Sequence, residues 1–93
     1  LFANEQQNIL QEIHRGFLSI TIHAFASARD SFGFSTQIVS CTPNDTPFEI
    51  VQRLVPRADI TGMRPALDLE YVSWDTPVGS AKELAIIPPV SGG

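Results

Sequence analysis

The stretch Glu83-Leu84-Ala85-Ile86-Ile87-Pro88-Pro89-Val90-Ser91-Gly92-Gly93 closes the chain, and its reading decides the fold. Glu83 to Ile87 is apolar on both faces, as a strand at the centre of a sheet is. Neither Pro88 nor Pro89 can donate to a ladder, so the strand stops there. The two prolines stiffen the exit into an extended path. Val90 is a small apolar anchor. Gly92 and Gly93 carry no side chains, so they fit a narrow channel in a partner. The carboxyl of Gly93 is unhindered, and once activated its acyl carbon is open to a sulfur or nitrogen nucleophile. A bare Gly-Gly terminus is otherwise a frayed end. The preceding Pro-Pro-Val-Ser argues for the reactive reading.

Working back from the tail, two short strands are expected at Ala66–Leu69 and Tyr71–Trp74, with a reversal near Leu69-Glu70. Asp75-Thr76-Pro77 marks a turn. Thr46-Pro47-Phe48-Glu49 is a capping box with proline at the first helical position. It opens a helix whose apolar face is read as Phe48, Val51, Leu54 and Val55, ending where Pro56 removes a donor. Leu18 to Phe25 alternates. Leu18, Ile20, Ile22 and Ala24 point to one face, and Ser19, Thr21, His23 and Phe25 to the other. Ala26 to Phe32 reads as a helical turn ended by Gly33, and Phe34 to Cys41 as a second strand in a hairpin-like return. Residues 1–18 are an N-terminal extension. Ile9, Leu10, Ile13 and Phe17 in it lie on one face of a short helix that Asn4 caps, or the segment is a mobile arm.

The chain has 93 residues, 43% of them hydrophobic and 17% charged, which is the composition of one small globular domain. Six basic against ten acidic residues give a net charge of −4. No basic stripe exists, so nucleic-acid binding is excluded as an expectation. The longest apolar run, Leu84 to Ile87, is far short of the roughly 20 residues of a membrane span. No basic stretch leads into an apolar one near the start, so no secretory signal is read and a cytoplasmic location is expected. One cysteine, Cys41, excludes an internal disulfide and a four-cysteine metal site.

The remaining residues suggest little chemistry of their own. Cys41 reads as a small buried hydrophobe, with a persulfide carrier as the alternative. His14 and His23 lack ligand partners at helical or strand spacing, so no metal site is expected. Asp68, Glu70 and Asp75 read as a solvated edge. Arg29 reads as a structural residue that makes an ion pair or bonds nearby carbonyls, with partner contact as the alternative. Phe25 either forms an apolar interface patch with Ile87 or is packed by the N-terminal segment.

The sequence resembles the small, sulfur-carrier subunit of molybdopterin synthase, a ubiquitin-like family. The resemblance rests on the ending Ile86-Ile87-Pro88-Pro89-Val90-Ser91-Gly92-Gly93, on Ile22 to Gly33 with Phe25-Ala26 and Arg29, and on Tyr71 to Leu84. The family pattern spans Ser19 to Gly93, with Ser35 to Arg64 matching in element order only. The sequence departs from that pattern at Leu67-Asp68, where many members have Val-Asn. It departs again at Ala81-Lys82-Glu83, where many have Gly-Asp-Glu.

The resemblance implies an α+β, ubiquitin-like β-grasp fold, a mixed sheet packed on one main helix. The domain would run over 19–87 and the reactive tail over 88–93. It implies that an ATP-dependent E1-like activating enzyme adenylates Gly93. A sulfurtransferase or cysteine desulfurase then converts the adenylate to a thiocarboxylate. The sulfur goes to cyclic pyranopterin monophosphate within a heterotetramer with the synthase large subunit. Ile87, Pro88, Pro89, Val90, Ser91, Gly92 and Phe25 would contact partners. No cofactor is bound in this scheme, and the catalytic side chains are expected on the large subunit. Other carrier pathways (thiamine, tRNA thiolation), a protein modifier and an interaction domain are the alternatives.

Overall fold

The computed structural model describes residues 18–89. The expected helix at the N-terminus lies outside them. The described elements are β1 (Leu18–Ala24), α1 (Ser27–Phe32), β2 (Thr36–Cys41), α2 (Pro47–Leu54), β3 (Arg64–Leu67), β4 (Glu70–Tyr71) and β5 (Glu83–Ile87). β1 starts at Leu18, the residue at which the extension was expected to end.

The strands form one sheet in the order β2-β1-β5-β3-β4. β5 runs parallel to β1 and antiparallel to β3, so the last strand lies at the centre. This explains its apolar character on both faces. Leu84 and Ile86 are fully buried on the helix side, and Ala85 and Ile87 are half-buried on the other. The alternation of β1 does the same work: Ile20, Ile22 and Ala24 enter the core, while Ser19 and Phe25 are exposed. β1 and β2 pair antiparallel, with α1 between them ended by Gly33 at φ 84. In that left-handed conformation Gly33 donates its N–H to the Arg29 carbonyl, closing the helix.

α2 covers the sheet. The Thr46 hydroxyl accepts from the Glu49 N–H at 3.2 Å, and the Glu49 carboxylate accepts from the Thr46 N–H at 3.1 Å. Pro47 stands at the first position, where its missing donor costs nothing. The buried face of α2 is Pro47, Ile50 and Val51, with Leu54 and Val55 half-buried beside them. This corrects the expected face: Phe48 is 42% exposed, and Ile50 replaces it in the core. Ile50 and Leu54, four apart, keep the stripe on the sheet, whereas Phe48 falls to its side. Replacing Thr46 with Ala removes the cap. The expected cost is about 1 kcal/mol, seen as a fall of about 4–8 °C in melting temperature for a domain of this size.

One ion pair anchors the loop before α2. Arg53 donates to Asp45 Oδ2 at 3.0 Å, and the Thr42 N–H donates to the same oxygen at 2.9 Å. The Arg53 hydrogen bond, more than the Thr42 amide, holds the Asp45 carboxyl below the usual carboxylate range.

The hairpin of β3 and β4 differs from the expected one. β3 begins at Arg64, two residues before the expected Ala66 start. The reversal is at Asp68-Leu69, one residue early, because Leu67 pairs with Glu70. Asp68 and Leu69 both have positive φ, 46 and 74, the sign pattern of a two-residue hairpin turn. β4 is only two residues long for a reason visible in β3. The Pro65 carbonyl accepts from Val72 N–H, but Pro65 has no N–H to return.

Candidate functional site

The base of the tail is held on two sides. Ile87 pairs with Arg64 across β3. Pro89 then lies against Gly62, where an added Cβ would stand 3.4 Å from the proline ring. Gly62 also has φ 78, a conformation that favours glycine. It therefore admits the tail's exit for two reasons, neither of which the sequence analysis noted. Val90, Ser91, Gly92 and Gly93, the expected partner-contacting and reactive residues, lie outside the described residues. Pro88 is half-buried and Pro89 exposed.

The sheet face opposite α2 is open among the described residues. One row crosses the whole sheet on this face: Thr36, His23, Ala85, Ala66 and Tyr71 are successive cross-strand partners. Phe25 and Ile87 flank the row toward the tail. Phe25 is 51% exposed, so it stands on this face as the alternation of β1 requires. Because Ala85 and Ala66 are small, the middle of the row is a hollow of about 240 Å³, lined also by His23, Phe25, Leu69 and Glu83. Ile38, Leu69 and Tyr71 add exposed apolar surface. Exposed apolar side chains beside a hollow, as Phe25 and Leu69 are here, are common on interaction faces.

Polar groups on the face are mutually engaged. His23 Nε2 donates to Glu83 Oε1 at 2.9 Å, and the Thr36 hydroxyl meets Nδ1 at 3.5 Å. The His23 and Phe25 ring centroids lie 6.4 Å apart with their planes inclined by 27°. The Arg64 guanidinium sits 3.9 Å from the centroid of the Tyr71 ring. Sequence reasoning missed the Arg64–Tyr71 pair because they are seven residues apart. Only the hairpin register brings them together.

The other candidate residues have structural roles or none. Asp68 Oδ1 accepts from the N–H groups of Lys82 and Glu83, both at 3.0 Å. It ties the hairpin to the start of β5, so Asp68 is a bracing residue that remains exposed, as the reading of a solvated edge expects. Glu70 and Asp75 are exposed. Cys41 is buried, and burial pushes its thiol up, with Asp45 adding to the shift. A thiol so held is a poor nucleophile, which matches its reading as a core residue. Arg29 is exposed and makes no ion pair among the described residues. His14 lies outside them. Among the described residues no helix is long and apolar enough to cross a membrane.

Comparisons with known proteins meet this geometry. The ThiS family profile matches residues 22–93, from the middle of β1 to the terminal glycine. SAMP1 from Haloferax volcanii superposes with a TM-score of 0.65 at 20% identity, over 82% of this chain and 100% of its own. A Pyrococcus furiosus protein provisionally assigned as molybdopterin converting factor, subunit 1 gives 0.63 at 17% identity, over 78% and 99%. Small archaeal modifier protein 1 from Methanosarcina acetivorans gives 0.61 at 17%, over 83% and 98%. These likenesses show the ubiquitin-like β-grasp fold. With the profile match over most of its length, the chain belongs to the ThiS family and is a small protein of the sulfur-carrier type.

Proposed function

We propose that the chain carries sulfur on its C-terminus for molybdopterin synthesis. The observation that carries this reading is where β5 ends. A central strand, braced by β1 and β3, delivers Ile87-Pro88-Pro89 at the rim of an open apolar face. The sequence then ends in Val90-Ser91-Gly92-Gly93. A partner that grips the face receives the tail in one direction and at a fixed distance.

The chemistry follows from an unhindered carboxylate. An oxygen of Gly93 attacks the α-phosphate of ATP and pyrophosphate leaves, giving an acyl adenylate. The terminal sulfur of a persulfide on a sulfurtransferase or cysteine desulfurase attacks the acyl carbon, and AMP leaves. A second thiol then cleaves the S–S bond of the acyl persulfide, releasing the thiocarboxylate and leaving a disulfide behind. The resulting thiocarboxylate enters the large subunit of the synthase and gives its sulfur to cyclic pyranopterin monophosphate. This chain supplies the carrier and the docking surface. The partners supply the catalytic side chains. The Pyrococcus furiosus neighbour, provisionally assigned to molybdopterin conversion, supports this destination.

A second reading is a protein modifier, and the likeness to archaeal SAMP1 proteins favours it. There a lysine amine attacks the adenylated Gly93, or a thioester made from it, and an isopeptide bond forms. One experiment separates the two. The thiocarboxylate form is mixed with the host's synthase large subunit and cyclic pyranopterin monophosphate. The carrier reading expects the dithiolene product and return of the chain to its carboxylate mass. Retained sulfur, together with conjugates that survive denaturing gels in host lysate, would overturn it in favour of the modifier.

A further inference from the structure

The sheet has two edges, and they are built differently. β4 closes one edge with two residues, one of them Glu70. Short length and charge are usual means of keeping an edge from pairing with another chain. β2 forms the other edge, and Thr36-Gln37-Ile38-Val39-Ser40-Cys41 contains no charge, no proline and no glycine. Among the described residues nothing pairs with its outer side. Ile38 on it is 68% exposed.

The direction of its free hydrogen-bonding groups follows from one contact. The Ala24 N–H donates to the Ser35 carbonyl at 2.9 Å, which continues the β1–β2 register one step beyond His23 and Thr36. Antiparallel partners that exchange hydrogen bonds alternate with partners that do not. Ser35, Gln37, Val39 and Cys41 therefore turn their N–H and C=O groups toward β1, and Thr36, Ile38 and Ser40 turn theirs outward. The same three residues put their side chains on the open face, because Ile38 lies opposite Thr21 whereas Val39 lies opposite the buried Ile20. The outward set reads hydroxyl, apolar, hydroxyl, and so is nearly the same in both directions.

We infer that β2 is the pairing edge of a homodimer: a second copy of this chain adds antiparallel, on a two-fold axis through Ile38 normal to the sheet. Ile38 then meets Ile38, and Thr36 meets Ser40 on both sides of the axis. Each pair exchanges both of its backbone bonds. Ile38 loses its exposure. The seam brings no charge against its like, in chains that each carry −4. On the helix side, Gln37 of the second copy lies opposite Val39, at the groove of about 180 Å³ between β2 and α2 that Ile50, Arg53 and Leu54 also line. The product is one continuous sheet with both α2 helices on one side and both open faces on the other. The two β5 strands are five strand spacings apart, about 24 Å, and run in opposite directions. The two tails therefore leave from opposite ends, and the dimer covers neither of them. A single strand pair is a small contact, so the dimer is weak and concentration-dependent.

The test starts with the full natural chain. Sedimentation equilibrium from about 1 to 500 μM is expected to pass from monomer to dimer. Amide exchange on the same samples is expected to slow several-fold at Thr36, Ile38 and Ser40 as the dimer fills. Gln37 and Val39, already bonded to β1, change little. Ile38→Lys and Ile38→Glu are each expected to stay monomeric, because like charges meet at the axis. Mixed in equal parts they are expected to dimerise, because residue 38 opposite residue 38 pairs the two charges. A natural chain that is monomeric at the highest concentration overturns the inference. So do outer amides protected at every concentration, which would mean that another segment of this chain covers the edge. A mixture of the charged variants that stays monomeric overturns it too. A dimer that Leu69→Asp dissolves, or that both charged variants retain, would seat the second copy elsewhere and overturn it equally. If a charged variant fails to fold, the exchange pattern of the natural chain decides alone.

Discussion

Deleting Gly93 abolishes sulfur loading and leaves the melting temperature unchanged. The last strand ends at Ile87, and the hydrophobic core of the described residues closes with Ile86. The described fold is therefore complete before the reacting carboxyl is reached. Removing one residue moves the carboxyl back by about 3.3–3.6 Å and replaces glycine with a terminal Gly92. A partner site that holds the reacting atom to within about an ångström then loses it, and such misplacement alone costs at least ~100-fold. Circular dichroism melting and intact-mass loading on the same sample check both halves. Unfolding of the truncated chain would contradict the separation of fold from tail. Normal loading of the truncated chain would contradict the role of Gly93.

Replacing Leu84 with Ala has the opposite signature. Leu84 is fully buried in the central strand and faces Ile22 on one side and Leu67 on the other. Its removal leaves a cavity that the flanking strands, each tied to β5 by its own ladder, close only in part. The expected loss is about 2–5 kcal/mol, which for a domain this small lowers the melting temperature by about 10 °C or more. Loading with the activating enzyme below that temperature should be retained, because Gly93 is untouched. A melting temperature within a degree or two of the natural chain would show that β5 is not the centre of the core. Leu84→Ala thus costs stability and keeps loading, while the Gly93 deletion keeps stability and costs loading. The pair separates the two halves of the molecule.

Much of the fold was legible in particular residues. Glu83 to Ile87 announced a central strand by being apolar at every position after Glu83, and β5 occupies those residues. Thr46 and Glu49 announced the start of α2, and both hydrogen bonds of the capping box are made. The period of two in Leu18 to Phe25 assigned the two faces of β1 correctly, Phe25 included. What failed was local. Counting apolar residues along α2 put Phe48 inside and left out Ile50, because a stripe on an eight-residue helix is too short to centre from pattern alone. The hairpin was displaced by one residue, since the reversal was read near Leu69-Glu70 and the strand register places it at Asp68-Leu69. Pro65 is tolerated since its missing N–H faces the short β4 side. Leu69 occupies the turn because Asp68 anchors the hairpin to the N–H groups of Lys82 and Glu83, a tertiary contact that local propensity does not contain.

The site divides in the same way. The proposed reactive terminus rests on the sequence, where each residue of Pro88-Pro89-Val90-Ser91-Gly92-Gly93 has a chemical meaning on its own. The open sheet face was readable only in part. Phe25 and Ile87 were visible by strand parity. The hollow needs Ala85 beside Ala66, and the charge needs Arg64 over Tyr71. Both depend on the register between strands far apart in the sequence. Gly62 belongs to the same class, since its meaning is the approach of Pro89.

The central claim is that Gly93 is a sulfur-carrying terminus, and intact mass tests it most directly. The chain is incubated with its host's activating enzyme, ATP and a sulfur donor, then weighed and fragmented. The account predicts the mass gain of one oxygen exchanged for one sulfur, located at Gly93. A terminus that remains a carboxylate with every activating enzyme of the host would contradict it.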